Sequence, residues 1–317
     1  MAGQRPRIPV SIITGFLGAG KTTLLNHLLR QRQDVPNVVI ENEFGSVGID
    51  GALVRQYSNE VYEVSNGCIC CSLDDELFDI LAELAREEEA PGHLFIEATG
   101  IADSGSLAAT FLRPDIRKRF ELRPVICVVD STNITEQLSS TQEAGQQIAS
   151  ADVLVLNKTG LATTEALQAA AQAVKRANPL ARIIQSADGR ISATELDLPR
   201  VRPEVPFVLP KAKPALPKVP VHTATVASSH TFDRPFDLSK IKHVLSVSLM
   251  LYAKQIFRVK GIVQSHDGQW HLLQSTGKQV EITPLAPGAG AGPSTIVVIG
   301  QGVKEEAVAR LLRQGLA

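Results

Sequence analysis

The sequence predicts an α/β fold: a mainly parallel sheet covered by helices, followed by a smaller C-terminal α+β domain. Three observations carry this. Short runs that are apolar throughout alternate with helix-length stretches in the N-terminal part of the chain. The composition then changes abruptly between Pro199 and Pro220, where seven prolines fall. Beyond that point strand-like runs outnumber helical ones. Strands buried on both faces are apolar throughout, and their alternation with helices marks a parallel sheet wrapped on two sides.

Taken in order, the β-type runs are Val10–Thr14, Asn37–Glu41, Leu94–Glu97, Val125–Asp130, Val153–Asn157 and Arg182–Gln185. Between them Lys21–Gln31, Leu73–Glu89, Ile134–Ile148 and Thr164–Ala177 have helical length and periodicity. The proline-rich stretch reads as a semi-extended linker, because proline fixes φ and removes backbone donors. After it, His222–Ser228 reads as a strand and Phe236–Leu251 as a helix. Ile256–Val263, Trp270–Ser275 and Ile296–Gly300 are further strands, Lys304–Leu312 is a closing helix, and Pro284–Ser294 is a glycine-rich loop. The expected division is therefore 1–198, a linker at 199–221, and 222–317.

A chain of 317 residues is long enough for two domains with a sizeable core. Its net charge of −1 argues against a nucleic-acid partner, and no apolar stretch has the length to span a bilayer. Arg5 and Arg7 precede a short apolar run in the manner of a secretion signal, but that run leads directly into a glycine-rich turn whose removal would destroy it, so a cytoplasmic protein is expected. Of four cysteines, three lie at 68, 70 and 71, which is no disulfide framework. Cys127 stands in an apolar strand as a small hydrophobe.

Gly15-Phe16-Leu17-Gly18-Ala19-Gly20-Lys21-Thr22 matches the phosphate-loop template and sits between a strand-like and a helix-like run. In such a loop Lys21 reaches the β- and γ-phosphates, Thr22 places its hydroxyl on Mg²⁺, and backbone N–H groups turn toward the phosphates. Glu97-Ala98-Thr99-Gly100 ends a strand, which puts a carboxylate within reach of the magnesium shell. Asn157-Lys158-Thr159-Gly160 is similar to the Asn-Lys-x-Asp element with which GTPases hold guanine, but the aspartate is missing. Ser186-Ala187-Asp188, at the end of the next strand, resembles a loop that reads the guanine carbonyl. Glu41-Asn42-Glu43-Phe44-Gly45 follows a strand as a switch segment would.

Three thiols within Cys68-Ile69-Cys70-Cys71 are a poor packing solution and a good soft-metal site. Ser72-Leu73-Asp74-Asp75 resembles a capping box, placing Cys70 and Cys71 just before a helix N-terminus, whose dipole favours thiolate. Thiolates favour Zn²⁺ or Cu(I) over Mg²⁺ or Ca²⁺. Three sulfurs leave one tetrahedral position, for a carboxylate such as Glu41 or for a ligand from another protein. The same thiols would also serve a redox switch. The seven histidines show no zinc-finger spacing, and the basic stretch Arg113, Arg117, Lys118, Arg119, Arg123 reads as a solvated face.

With these motifs in this order, the chain resembles a CobW-family P-loop GTPase, related to the GTPase chaperones that deliver nickel to urease and hydrogenase. The resemblance spans nearly the whole length. It implies a P-loop NTPase that hydrolyses GTP to GDP with Mg²⁺ and hands zinc, or cobalt in some members, to a client metalloprotein. It assigns Lys21, Thr22 and Glu97 to catalysis. Gly15, Gly18, Ala19, Gly20, Lys21, Thr22 and Thr23 would bind phosphate, and Asn157 and Lys158 the base. Glu41, Cys68, Cys70 and Cys71 would hold the transported metal. Two departures stand out: no histidine-rich loop occurs in Pro199–Pro220, and Gly160 replaces the base-reading aspartate. A nucleotide-gated redox or metal sensor and a small-molecule kinase are the competing readings, and the sequence leaves self-association into a homo-oligomer open.

Overall fold

The computed structural model describes residues 5–42, 60–64, 73–87, 89–100, 103–197, 225–288, 290 and 292–317. The first sheet is parallel throughout. Its strands β1 (Ile8–Thr14), β2 (Asn37–Asn42), β3 (Glu60–Val64), β4 (His93–Glu97), β6 (Ile126–Asp130), β7 (Val153–Asn157) and β8 (Arg182–Gln185) lie in the order β3-β2-β4-β1-β6-β7-β8. The short β5 (Phe120–Leu122) pairs with the beginning of β1.

Both faces are covered, which is why the strands carry apolar residues at successive positions. Helix α1 (Lys21–Gln31) places Leu24, Leu25, Leu28 and Leu29 against Ile13, Val39, Phe95 and Val128 on one face. On the other face α2 (Leu73–Arg86) and α3 (Ser104–Thr110) cover Val10, Ile12, Val38 and Ile96. There α4 (Ile134–Ser140), α5 (Gln142–Ser150) and α6 (Thr164–Ala177) cover Cys127, Val129, Leu154 and Leu156. A short α7 (Thr194–Asp197) ends this part of the described chain.

The stretch expected as one helix over Ile134–Ile148 is two. Thr141 between them is extended, at φ −131 and ψ 140. Ser139, Ser140 and Thr141 all turn their hydroxyls back onto the carbonyls of Glu136 or Gln137, and such bonds compete with continuation of the helix.

The second sheet is antiparallel, in the order β12-β11-β10-β13-β9. Its strands are β9 (Thr225–Phe232), β10 (Ile256–Gln264), β11 (Trp270–Thr276), β12 (Gln279–Pro284) and β13 (Ser294–Gln301). Helices α8 (Leu238–Leu251) and α9 (Glu305–Arg313) cover one face, where Ile241, Leu245, Leu249, Val308 and Leu312 meet Val259, Ile296 and Val298. The alternate residues Val297 and Ile299 point the other way and pack against Ala149 of α5. Expected boundaries shift slightly: the helix starts at Leu238 because Asp237 caps it through Ser239 N and Lys240 N. The expected linker at 199–221 lies outside the described residues.

The two sheets meet through α5. Arg258 of β10 is 4 % exposed and sends Nη1 to the carbonyls of Ala149, Ser150 and Ala151, while Nη2 pairs with Asp152. Four acceptors around one buried guanidinium compensate its desolvation and complement the negative end of the helix. Gly145 lets Thr225 approach, since a β-carbon there would come within 2.0 Å of the Thr225 hydroxyl.

Candidate nucleotide site

The carboxyl ends of β1, β4, β6 and β7 converge where the sheet order reverses around β1, the place where ligands lodge in open α/β sheets. The turn after β1 is built by glycine. Gly15, Gly18 and Gly20 have φ of 141, 75 and 102, a region that costs other residues about 1–2 kcal/mol. A β-carbon at Gly15 would sit 2.2 Å from Val128 O, and one at Gly20 would sit 2.5 Å from Asn157 Nδ2.

Gly20 opens α1 without a side-chain cap, in contrast to α3, α6 and α8, which Asp103, Thr163 and Asp237 cap. The first-turn N–H groups of α1 therefore keep their capacity for an anion at the positive end of the helix. Lys21, 8 % exposed, holds its ammonium over the loop at 3.5 Å from Phe16 O. These features fit a nucleotide phosphate chain.

Thr22 Oγ1 donates to Glu97 Oε1 at 2.9 Å, joining the first turn of α1 to the end of β4. The pair suits a magnesium site, in which one group ligates the ion and the other acts on its water shell. Glu41 is the register partner of Glu97 on the neighbouring strand and so shares its face of the sheet. That is the face covered by α1, because Val39 and Phe95, two residues earlier, pack there. Cys68, Cys70 and Cys71, together with Glu43 to Gly45 and Ser72, lie outside the described residues. Among the described residues no group of three His, Cys, Asp or Glu side chains is arranged to hold a metal.

Asn157, expected beside the base, also bonds within the protein. Buried at 3 % exposure, it donates Nδ2 to Ala19 O at 2.9 Å and accepts from Gly189 N at 2.7 Å. It thereby ties the phosphate loop to the turn after β8. Lys158 stands at φ 60 and its ammonium is 2.7 Å from Asp130 Oδ2. Burial alone would raise the Asp130 carboxyl, but hydrogen bonds from Lys158 and Thr132 outweigh it and hold the group below its ordinary value. Gly160 is exposed, and a β-carbon there would have nothing within 4 Å. Asp188 is exposed and paired with Arg190.

Two contributors are not evident from the sequence motifs. Asp130, the register partner of Asn157, has a signal in its place as a strand-terminal carboxylate. Gln147 on α5, 1 % exposed, has none, because glutamine on a helix reads as solvent-facing. Cys127 is buried, and burial pushes its thiol up to about 12 against a smaller opposing pull from Lys21, so it is an inert hydrophobe.

Comparison with known proteins agrees with this geometry. Residues 9–185 match the family described as CobW/HypB/UreG, nucleotide-binding domain, and residues 226–316 match the cobalamin synthesis protein cobW C-terminal domain. Zinc-regulated GTPase metalloprotein activator 1 of Schizosaccharomyces pombe is 32 % identical over 319 residues, covering 88 % of this chain and 77 % of that protein. Zinc chaperone YjiA of Escherichia coli is 33 % identical over 283 residues, covering 86 % of each. The crystal structure of Zn(II)-bound YjiA GTPase from E. coli aligns with a TM-score of 0.70 at 27 % identity, over 98 % of this chain and 100 % of that one. A phosphate loop of this geometry, a parallel sheet with its order reversal at β1, and both domain matches in sequence order establish that the chain belongs to the CobW/HypB/UreG family of nucleotide-binding proteins and carries the CobW C-terminal domain.

Proposed function

We propose that this chain hydrolyses GTP to GDP and phosphate with Mg²⁺ and uses the cycle to bind zinc and release it to a client metalloprotein. The observation that carries the reading is the Thr22–Glu97 bond beside an uncapped, glycine-built phosphate loop. The names of the relatives, zinc chaperones and GTPases, support it.

In this reading the backbone N–H groups from Gly18 to Thr23, together with Gly15 and Ala19, cradle the phosphates. Lys21 neutralises charge on the β- and γ-phosphates, which matters most as charge builds on the bridging oxygen. Mg²⁺ supplies further neutralisation of the phosphate charge, with Thr22 holding the ion and Glu97 orienting its shell. Asn157 and Lys158 frame the base. The cargo metal is held by Cys68, Cys70 and Cys71 with Glu41, whose thiolate-rich donor set suits zinc. The reading also takes a nucleotide domain at 1–198, a linker at 199–221, a C-terminal domain at 222–317, and a cytoplasmic protein with no nucleic-acid or membrane partner.

Coupling is the core of the proposal, and it must be reciprocal. Glu41 and Glu97 are register partners, so a change at the magnesium shell acts one strand away from a cargo ligand. The test measures zinc affinity by competition with a chromophoric chelator, with GDP and with a non-hydrolysable GTP analogue. Different affinities in the two nucleotide states are expected, and equal affinities would leave the thiols a passive site. Phosphate release without any added acceptor separates hydrolysis from a kinase reaction.

A further inference from the structure

Gly100, which follows β4, and Ser104, the first residue of α3, both bond to one helix. Gln147 of α5 donates Nε2 to Gly100 O at 2.9 Å. Ser104 and Ser150 share a hydroxyl hydrogen bond of 2.6 Å, and Ser150 Oγ donates back to Gln147 O at 3.0 Å. Gly100 in turn lies against the phosphate loop: a β-carbon there would come within 2.8 Å of Leu17 N. The Gly100 peptide is thus held between Gln147 on one side and the phosphate loop on the other.

A buried glutamine is a costly way to fill space. Unless its amide is bonded, desolvation works against it, and an apolar side chain of similar volume would pack there without that cost. What the amide supplies is a fixed position for one carbonyl, three residues after Glu97, on the segment that links the magnesium-shell carboxylate to α3.

We infer that Gln147 is a positioning residue of the nucleotide site. By fixing the Gly100 peptide against the phosphate loop, it sets the preference of the site for a nucleoside triphosphate over the diphosphate. The inference rests on the nucleotide reading above. Arg258 of the C-terminal sheet bonds to the carbonyl end of the same helix.

The test uses the full chain with Gln147→Leu, which keeps the volume and removes the donor, and Gln147→Asn, which keeps an amide one methylene short. Affinities for GDP and for a non-hydrolysable GTP analogue are measured by equilibrium titration with Mg²⁺, alongside kcat and KM for phosphate release. The expected result is GDP affinity within about twofold of wild type, with triphosphate affinity and kcat each lower by about tenfold. A parallel loss for both nucleotides would make Gln147 merely structural, and an unchanged ratio would remove it from the site; either overturns the inference. If Gln147→Leu does not fold, the same ratio is read in Gln147→Asn. Wild type that binds neither nucleotide defeats the nucleotide reading itself, whereas wild type that discriminates and variants that discriminate equally defeat only the role of Gln147.

Discussion

Thr22 and Glu97 come from segments 75 residues apart in sequence and meet in a 2.9 Å hydrogen bond. The bond joins the helix that receives the phosphates to the strand end that precedes Gly100. Any ligand that draws the Thr22 hydroxyl toward a metal must therefore release or share Glu97. The two groups respond to one event, and Glu41, in register beside Glu97, is the next carboxylate along the same row.

Lys21→Ala should lower the rate of phosphate release by at least about 100-fold, the scale of losing one preorganised charge in a site of this type. The ammonium of Lys21 already stands over the loop. Steady-state phosphate release is the measurement, and turnover at the wild-type rate would take Lys21 out of the mechanism.

Cys70→Ser should weaken zinc binding by about tenfold or more, since a hydroxyl is a poor ligand for a borderline-soft metal. Cys127→Ser should leave it unchanged, because that thiol is buried and protonated well above neutral pH. Competition titrations of the two variants give the answer, and equal zinc affinities would sink the assignment of the cluster.

Gly160→Asp should raise discrimination for GTP over ATP. A carboxylate accepting from two guanine N–H groups is worth roughly 1.5–3 kcal/mol per bond, or about two to four powers of ten together. The position is exposed and open, so the variant should melt with wild type. Hydrolysis of GTP and ATP in competition at equal concentration is the readout, and an unchanged ratio would show that another residue reads the base.

Arg258→Met should destabilise the chain by about 3–5 kcal/mol, because it leaves Asp152 buried without its guanidinium. The double variant Arg258→Met with Asp152→Asn should recover part of that loss, since no uncompensated charge remains. Urea denaturation of the single and double variants tests this. A single variant as stable as wild type would mean that the latch contributes nothing to joining the sheets.

His93 makes stability depend on acid. It is fully buried, its Nε2 meets Ser11 Oγ at 2.9 Å, and burial, with Arg32 and Arg123 nearby, lowers its pKa from 6.5 to about 3. The unfolded chain takes up this proton below pH 6.5 and the folded chain does not. The stabilisation is therefore complete above pH 6.5 and is lost as pH falls toward 3, by about 2 kcal/mol at pH 5. Urea denaturation at pH 7.5 and pH 5 should show that loss in wild type and a smaller one in His93→Gln; identical slopes would refute it.

The parallel sheet was legible because its strands are buried on both faces, so apolar residues run on without alternation, as in Val153–Asn157. The phosphate loop was legible because glycine and lysine at those offsets have no packing purpose. What escaped was of two kinds. The three-residue β5 offers too few residues for a period to emerge, and the break at Thr141 depends on hydroxyls that can equally face solvent. Polar residues whose partners are distant in sequence escaped as well. Gln147 finds Gly100 across 47 residues, and Asn157 reaches Ala19 across 138. The amide of Asn157 joins two loops, a structural task that its motif alone does not announce.

Lys158 is the sole non-glycine residue at positive φ among the described residues. Glycine would hold that turn at lower conformational cost, by roughly 1 kcal/mol. A chain selected for durability alone would give this position to glycine, yet the sequence keeps a lysine there and supplies Asp130 to steady it. Position 158 thus trades an easier backbone for an ion pair with the end of β6. Relaxing the backbone there with glycine would remove the ammonium that now meets Asp130 and leave that carboxylate without its ion pair.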